Sequence, residues 1–100
     1  VLNHVVLFKF RPGVTWDDPR ALQAERASRR HPVHIPEILS WECGRNTTDR
    51  DIGYDFAVIG RFSDHQAVES YLSHPDHVQG VELWREIATW AVVDFPADAA

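Results

Sequence analysis

The stretch Tyr71-Leu72-Ser73-His74-Pro75-Asp76-His77 holds the residue types that proton chemistry needs, at a spacing that can bring them together. Pro75 suits the first position of a helix, with His74 as its cap and Asp76 in its first turn. His77 then takes the third helical position, beside unpaired backbone N–H groups and the positive end of the helix dipole. A second positive charge is unfavourable there, so the imidazole is expected to stay neutral near pH 7 and to be able to act as a base. Tyr71 ends the preceding helix, and the break at His74-Pro75 can fold its hydroxyl toward His77. The same residues have a plainer use as well, the histidine as a cap and the tyrosine as an amphipathic core residue.

His4 lies in phase with Val6, Phe8 and Phe10, so it faces an apolar layer, where it is either a hydrogen-bonded core residue or a pocket group. Metal binding is the rival use of this histidine set, with His74, His77 and either His4 or Asp76 as ligands. A helix cap and a third-position residue do not share one face, and no zinc-type spacing occurs, so no metal site is expected. Cys43 is the only cysteine, which excludes an internal disulfide and a thiolate cluster within one chain. It reads as a small apolar strand residue. Asp94 either pairs with an arginine or caps the sheet edge. Gly44, Gly53 and Gly60 form no phosphate cradle, Gly60 reading instead as a bulge or a close packing point. No nucleophile elbow supports a serine triad.

The elements that must carry these groups follow from hydrophobic period. His4 to Phe10 is a β-branched and aromatic strand closed by Pro12-Gly13. Thr15 or Asp17 can cap a helix with Asp18 and Pro19 in its first turn, running to about Arg30 with Leu22 as its one large apolar residue. His31 to Pro36 contains two prolines and is expected to be non-helical. Strands follow at Ile38 to Arg45 and Tyr54 to Phe62, then a helix from Asp64 to about Tyr71 and a third from Pro75, with Val78, Val81, Leu83, Trp84 and Ile87 apolar. Trp90 to Phe95 is the last strand. This order is ferredoxin-like βαββαβ: a single α+β domain over residues 1–100, with a four-stranded antiparallel sheet and helices on one face.

Phe56-Ala57-Val58-Ile59 and Trp90-Ala91-Val92-Val93 are apolar on both alternating faces, and helices cover only one. Bare apolar sheet costs several kcal/mol at about 25 cal/mol per Å². A second copy packed face to face across a two-fold axis is the simplest cover, so a homodimeric barrel is expected. A formal charge of -5 with no basic run beyond Arg29-Arg30 argues against a nucleic-acid partner. No apolar run reaches the roughly 20 residues of a membrane span, and the start lacks signal-peptide order, so a cytoplasmic location and no membrane partner are expected.

His4-Val5-Val6-Leu7-Phe8-Lys9-Phe10, Gly53-Tyr54-Asp55, Tyr71 with His74-Pro75-Asp76-His77, and Val93-Asp94-Phe95 resemble the stress-responsive A/B barrel (Dabb) family, in order and over nearly the whole chain. The resemblance implies a dimeric α+β barrel. It also implies, from the family's plant polyketide cyclase, aldol-type ring closure of a carbonyl substrate with no metal or organic cofactor. Carried over by position, the catalytic tyrosine and base fall on Tyr71 and His77, and the first-strand histidine on His4. A further pocket histidine of that enzyme falls on Phe56, which removes a polar group. Phe8, Phe56, His74 and Trp84 are the expected contacts for a small apolar or aromatic carbonyl ligand. Two other classes stand beside this one: a non-catalytic stress or ligand-binding barrel, and a cofactor-free monooxygenase or haem-handling barrel.

Overall fold

The computed structural model describes residues 1–97. In chain order they form β1 (Leu2–Phe10), α1 (Pro19–His34), β2 (Ser40–Arg45), β3 (Phe56–Phe62), α2 (His65–Ser73), α3 (Pro75–Ile87) and β4 (Ala88–Pro96). The strands make one antiparallel sheet in the order β2-β3-β1-β4, the ferredoxin-like arrangement. Register places His4 between Gly60 and Asp94, Val6 between Val58 and Val92, and Phe8 between Phe56 and Trp90. Because side chains alternate along a strand, all of these share the face beneath the helices. Among the described residues no helix is long and apolar enough to cross a membrane.

The first helix departs from expectation in three ways. Asp18, and neither Thr15 nor Asp17, is its cap, accepting from the Arg20 N–H. Its narrow buried stripe holds Ala21 and Ala24 as expected but continues through Glu25, Ser28 and His31, while Leu22 stays half-buried. It also runs through Pro32 to His34, where two prolines argued for a break. A proline in a helix leaves the carbonyl four residues earlier without its N–H partner. Here that carbonyl belongs to Ser28, and it accepts the Trp41 indole N–H at 3.0 Å. The lost helical bond is thus replaced from β2, and His31 is kept on the buried side of a helix.

The strand ends also differ. β3 begins at Phe56, not Tyr54, because Asp55 ends the pairing with its side chain: its N–H donates to the Phe8 carbonyl and its carboxylate accepts the Phe10 N–H, both at 2.8 Å. β2 begins at Ser40 after a turn in which the Ile38 N–H donates to the Ile35 carbonyl. Gly60 makes no bulge. A Cβ there would lie 2.8 Å from the Trp41 ring, so the bare backbone lets the indole lie flat on the sheet.

Two buried clusters hold the helices down. Phe8, Phe56 and Trp84 stack beneath α1 and α3, with the Phe8 and Trp84 rings 4.0 Å apart, and Leu2, Ile35, Phe62, Val68 and Tyr71 pack beneath α2. The Trp84 indole donates to Ser28 Oγ at 2.8 Å, and Arg45 reaches Glu25 with two bonds, tying α1 to α3 and to β2. The other face of the sheet carries Leu7, Ile59, Val93 and Phe95, each about half exposed.

Candidate active site

A cavity of about 90 Å³ lies where the two clusters meet. His4 of β1, His31 of α1, Tyr71 of α2 and His77 of α3 line it, over a floor that includes Phe8 and Trp84. The helix break is what delivers two of them. The His74 N–H donates to the Tyr71 carbonyl, the His74 ring caps α3 by accepting the Asp76 N–H, and the chain turns so that the Tyr71 and His77 rings stand 4.3 Å apart.

Each of the three imidazoles is held by its Nδ1. His77 Nδ1 lies 3.0 Å from the Leu72 carbonyl, His31 Nδ1 2.7 Å from Asp76 Oδ2, and His4 Nδ1 2.5 Å from Asp94 Oδ1. A carbonyl or carboxylate oxygen only accepts, so Nδ1 carries the proton in every case, and in the neutral ring Nε2 keeps its lone pair. Among the described residues no Nε2 of the three has a protein partner, and neither has the Tyr71 hydroxyl. Sealed, unpartnered polar side-chain atoms do not occur among the described residues. These four atoms are therefore not sealed off, and with His31 and His77 neutral the apolar chamber that their residues line offers at least two acceptors and one O–H donor. Such a set can take a proton from an acidic carbon or hydroxyl and hydrogen-bond the oxygen left behind.

Electrostatics sharpen this picture. Burial lowers the His77 imidazole from about 6.5 to about 4, the Leu72 carbonyl opposing and the neighbouring His31 and His4 rings adding to the shift. The imidazole is lowered in the expected direction, but burial leads rather than the helix dipole. Burial likewise lowers His31, against the pull of Asp76, and raises the Tyr71 phenol, which stays protonated. Both histidines bind protons more readily in the unfolded chain than in the folded one. Their effect on stability is therefore absent above about pH 6.5 and becomes a loss as pH falls toward 4. Melting curves over that window are expected to show Tm dropping by several degrees, about 1–2 kcal/mol once solvent screening at the half-buried His77 is allowed for. His77→Gln should flatten the drop. A Tm constant from pH 7 to 4 would contradict the buried, neutral imidazoles.

Of the residues expected at the site, His4, Phe8, Tyr71, His77 and Trp84 meet at this cavity. His74 does not line it: its ring is spent on capping α3. Phe56 does not line it either, being 1% exposed within the Trp84 stack, so the missing histidine at that position takes nothing from the chamber. Asp94 pairs with His4 rather than with an arginine or a strand edge. His31 and Asp76 as a pair are an addition that the sequence did not expose, hidden by the two prolines around His31. No group of three His, Cys, Asp or Glu side chains among the described residues is placed to hold a metal ion.

Comparison with known proteins agrees with this architecture. The family model for the stress responsive A/B barrel domain (Dabb) matches residues 2–97. An uncharacterized protein of Streptomyces coelicolor is 44% identical over 95 residues, spanning 95% of this chain and 98% of its own length. A dimeric ferredoxin-like protein of unknown function from Thermobifida fusca superposes with a TM-score of 0.81 at 26% identity, over 94% of this chain and 88% of its own. The hydroxynitrile lyase of Passiflora edulis superposes with a TM-score of 0.82 over 99% of this chain and 94% of its own, a likeness of fold at 13% identity. With its sheet order and nearly its full length accounted for, this chain belongs to the stress-responsive A/B barrel (Dabb) family.

Proposed function

We propose that this chain, paired with a second copy across the open face of its sheet, is a cofactor-independent enzyme of cyclase or lyase type acting on a small carbonyl compound. The observation that carries the reading is that the His77 and Tyr71 rings stand 4.3 Å apart in one apolar chamber, with neither His77 Nε2 nor the Tyr71 hydroxyl bonded among the described residues. His77 removes a proton from a carbon between two carbonyls. Tyr71 donates a hydrogen bond to the enolate oxygen, and a fixed donor of this kind in a dry site lowers a barrier by about 3–4 kcal/mol. His4, locked by Asp94 and 5.3 Å from the Tyr71 ring, supplies a further acceptor beside it. Phe8 and Trp84 form the apolar floor against which the substrate lies.

Size narrows the substrate. At about 90 Å³ the chamber takes the reacting head of a substrate, the remainder extending through its open side. A β-dicarbonyl head fits its chemistry, and a longer polyketide-like chain would leave its tail along Leu72, Trp90 and Val92 at the rim. The dimeric state of the Thermobifida relative supports the pairing, as do Leu7, Ile59, Val93 and Phe95 exposed on one sheet face. The lyase named among the fold neighbours supports the reaction class only as a use this fold allows.

The test uses pentane-2,4-dione in deuterium oxide. The wild-type protein is expected to accelerate deuterium uptake at the central carbon well above the buffer blank, and to sediment as a dimer at micromolar concentration. Binding of the diketone without uptake would replace the enzyme with a ligand-binding barrel. A monomer would remove the pairing.

A further inference from the structure

The cavity is lined mainly by apolar side chains, and an abstracted proton has to leave it. His77 is a poor place to keep one, because its Nδ1 partner is a neutral carbonyl and two other imidazoles flank it. The charged and titratable groups around it are His31 of α1, His4 of β1 and Asp76 of its own helix, with the Tyr71 phenol of α2 against its ring.

His31 is differently placed. Its ring lies 5.7 Å from that of His77, its Nε2 opens on the same chamber, and its Nδ1 is bonded to a carboxylate. The ring itself is 4% exposed, while Asp76 also lines a polar groove on the outer surface between α1 and α3, beside Arg26 and Arg30. The pair thus crosses the wall of the fold, with one end inside and the other in solvent. Asp76, His74, His77 and Tyr71 face the His31 ring from other elements, and His34 from its own helix. Gly80 makes the placement possible: a Cβ there would come within 2.9 Å of His31 Cε1 and 3.0 Å of Nε2.

We propose that the His31–Asp76 pair is the proton path between the cavity and bulk water. This rests on the reading of His77 as the base. The substrate C–H bond breaks, its electron pair forms the enolate, and the proton passes to His77 Nε2. It moves on to His31 Nε2, directly or over a substrate oxygen, while His31 Nδ1 releases its own proton to Asp76 Oδ2. Asp76 gives that proton to solvent, leaving His31 protonated on Nε2 until passage in the reverse sense restores its Nδ1–H form. In the reverse sense the same path brings a solvent proton to the enolate carbon or to the alkoxide formed when that carbon adds to a carbonyl. No electron pair or proton is left over.

The experiment measures deuterium uptake by pentane-2,4-dione in wild type, Asp76→Asn, Gly80→Ala and His77→Ala, across pH and with increasing imidazole buffer. Wild type is expected to be insensitive to added imidazole. Asp76→Asn, which keeps the side-chain shape, is expected to lose at least tenfold at low buffer and to recover most of it with imidazole, with the acidic limb of its pH profile displaced. Gly80→Ala, which pushes the His31 ring aside without removing a titratable group, should show the same buffer dependence. Melting curves confirm that both variants are folded. If both match wild type in rate, pH profile and buffer response while His77→Ala is inactive, the proton path is wrong and the base assignment stands. If wild type itself shows no uptake above the blank, the base assignment falls and the path with it.

Discussion

Replacing His77 by alanine is expected to slow proton removal from pentane-2,4-dione by about 10²–10⁴-fold, the usual worth of a positioned general base. The change is confined to one half-buried ring whose single hydrogen bond goes to the Leu72 carbonyl, so the fold is expected to survive it. The loss should appear in kcat more than in KM, because the base acts in the transition state. At neutral pH the stability should change little, and the acid-side drop in Tm described above should shrink. Uptake within threefold of wild type would show that another group takes the proton; His31 presents the same kind of lone pair to the chamber.

The second large effect belongs to Tyr71→Phe, which deletes one oxygen and leaves the ring in place. Phe62 at 4.9 Å, His4 at 5.3 Å and Trp41 at 5.9 Å continue to hold it. The hydroxyl has no partner among the described residues, so no hydrogen bond among them is lost, and Tm is expected to hold or rise slightly. Activity behaves in the opposite way. Losing the only O–H donor among these four cavity-facing groups should cost about 10²–10³-fold, or roughly 3–4 kcal/mol of transition-state stabilisation. A stable Tyr71→Phe variant with full activity would assign the tyrosine to packing alone. A variant that loses both activity and stability would leave no role specific to the hydroxyl.

The parts of this site readable from sequence are the local ones. Pro75, the His74 cap and the positions of Tyr71 and His77 follow from a few adjacent residues, and α3 forms where that pattern starts it. The phase of His4 with Val6 and Phe8 also follows from one strand alone. Its partner does not: Asp94 lies 90 residues away, and only the β1–β4 register brings the two together. The hidden member is His31. Pro32 and Pro36 signal a broken helix, and the compensating indole of Trp41 sits on another element 13 residues from Ser28, so nothing nearby in sequence announces the repair. Phe56 and His74 lie outside the lining of this chamber for a related reason. Residue type suggested a pocket, but packing placed one under Trp84 and capping used the other.

The central claim is an uncharged His77 with its Nδ1 proton on the Leu72 carbonyl and a bare Nε2 turned into the chamber. Nitrogen-15 NMR of the histidine rings, followed from pH 7.5 down to 3.5, tests it directly. The account predicts a single Nδ1–H tautomer for His77 at neutral pH and a midpoint near 4. A midpoint near 6.5, or a ring protonated on Nε2 at neutral pH, would contradict it.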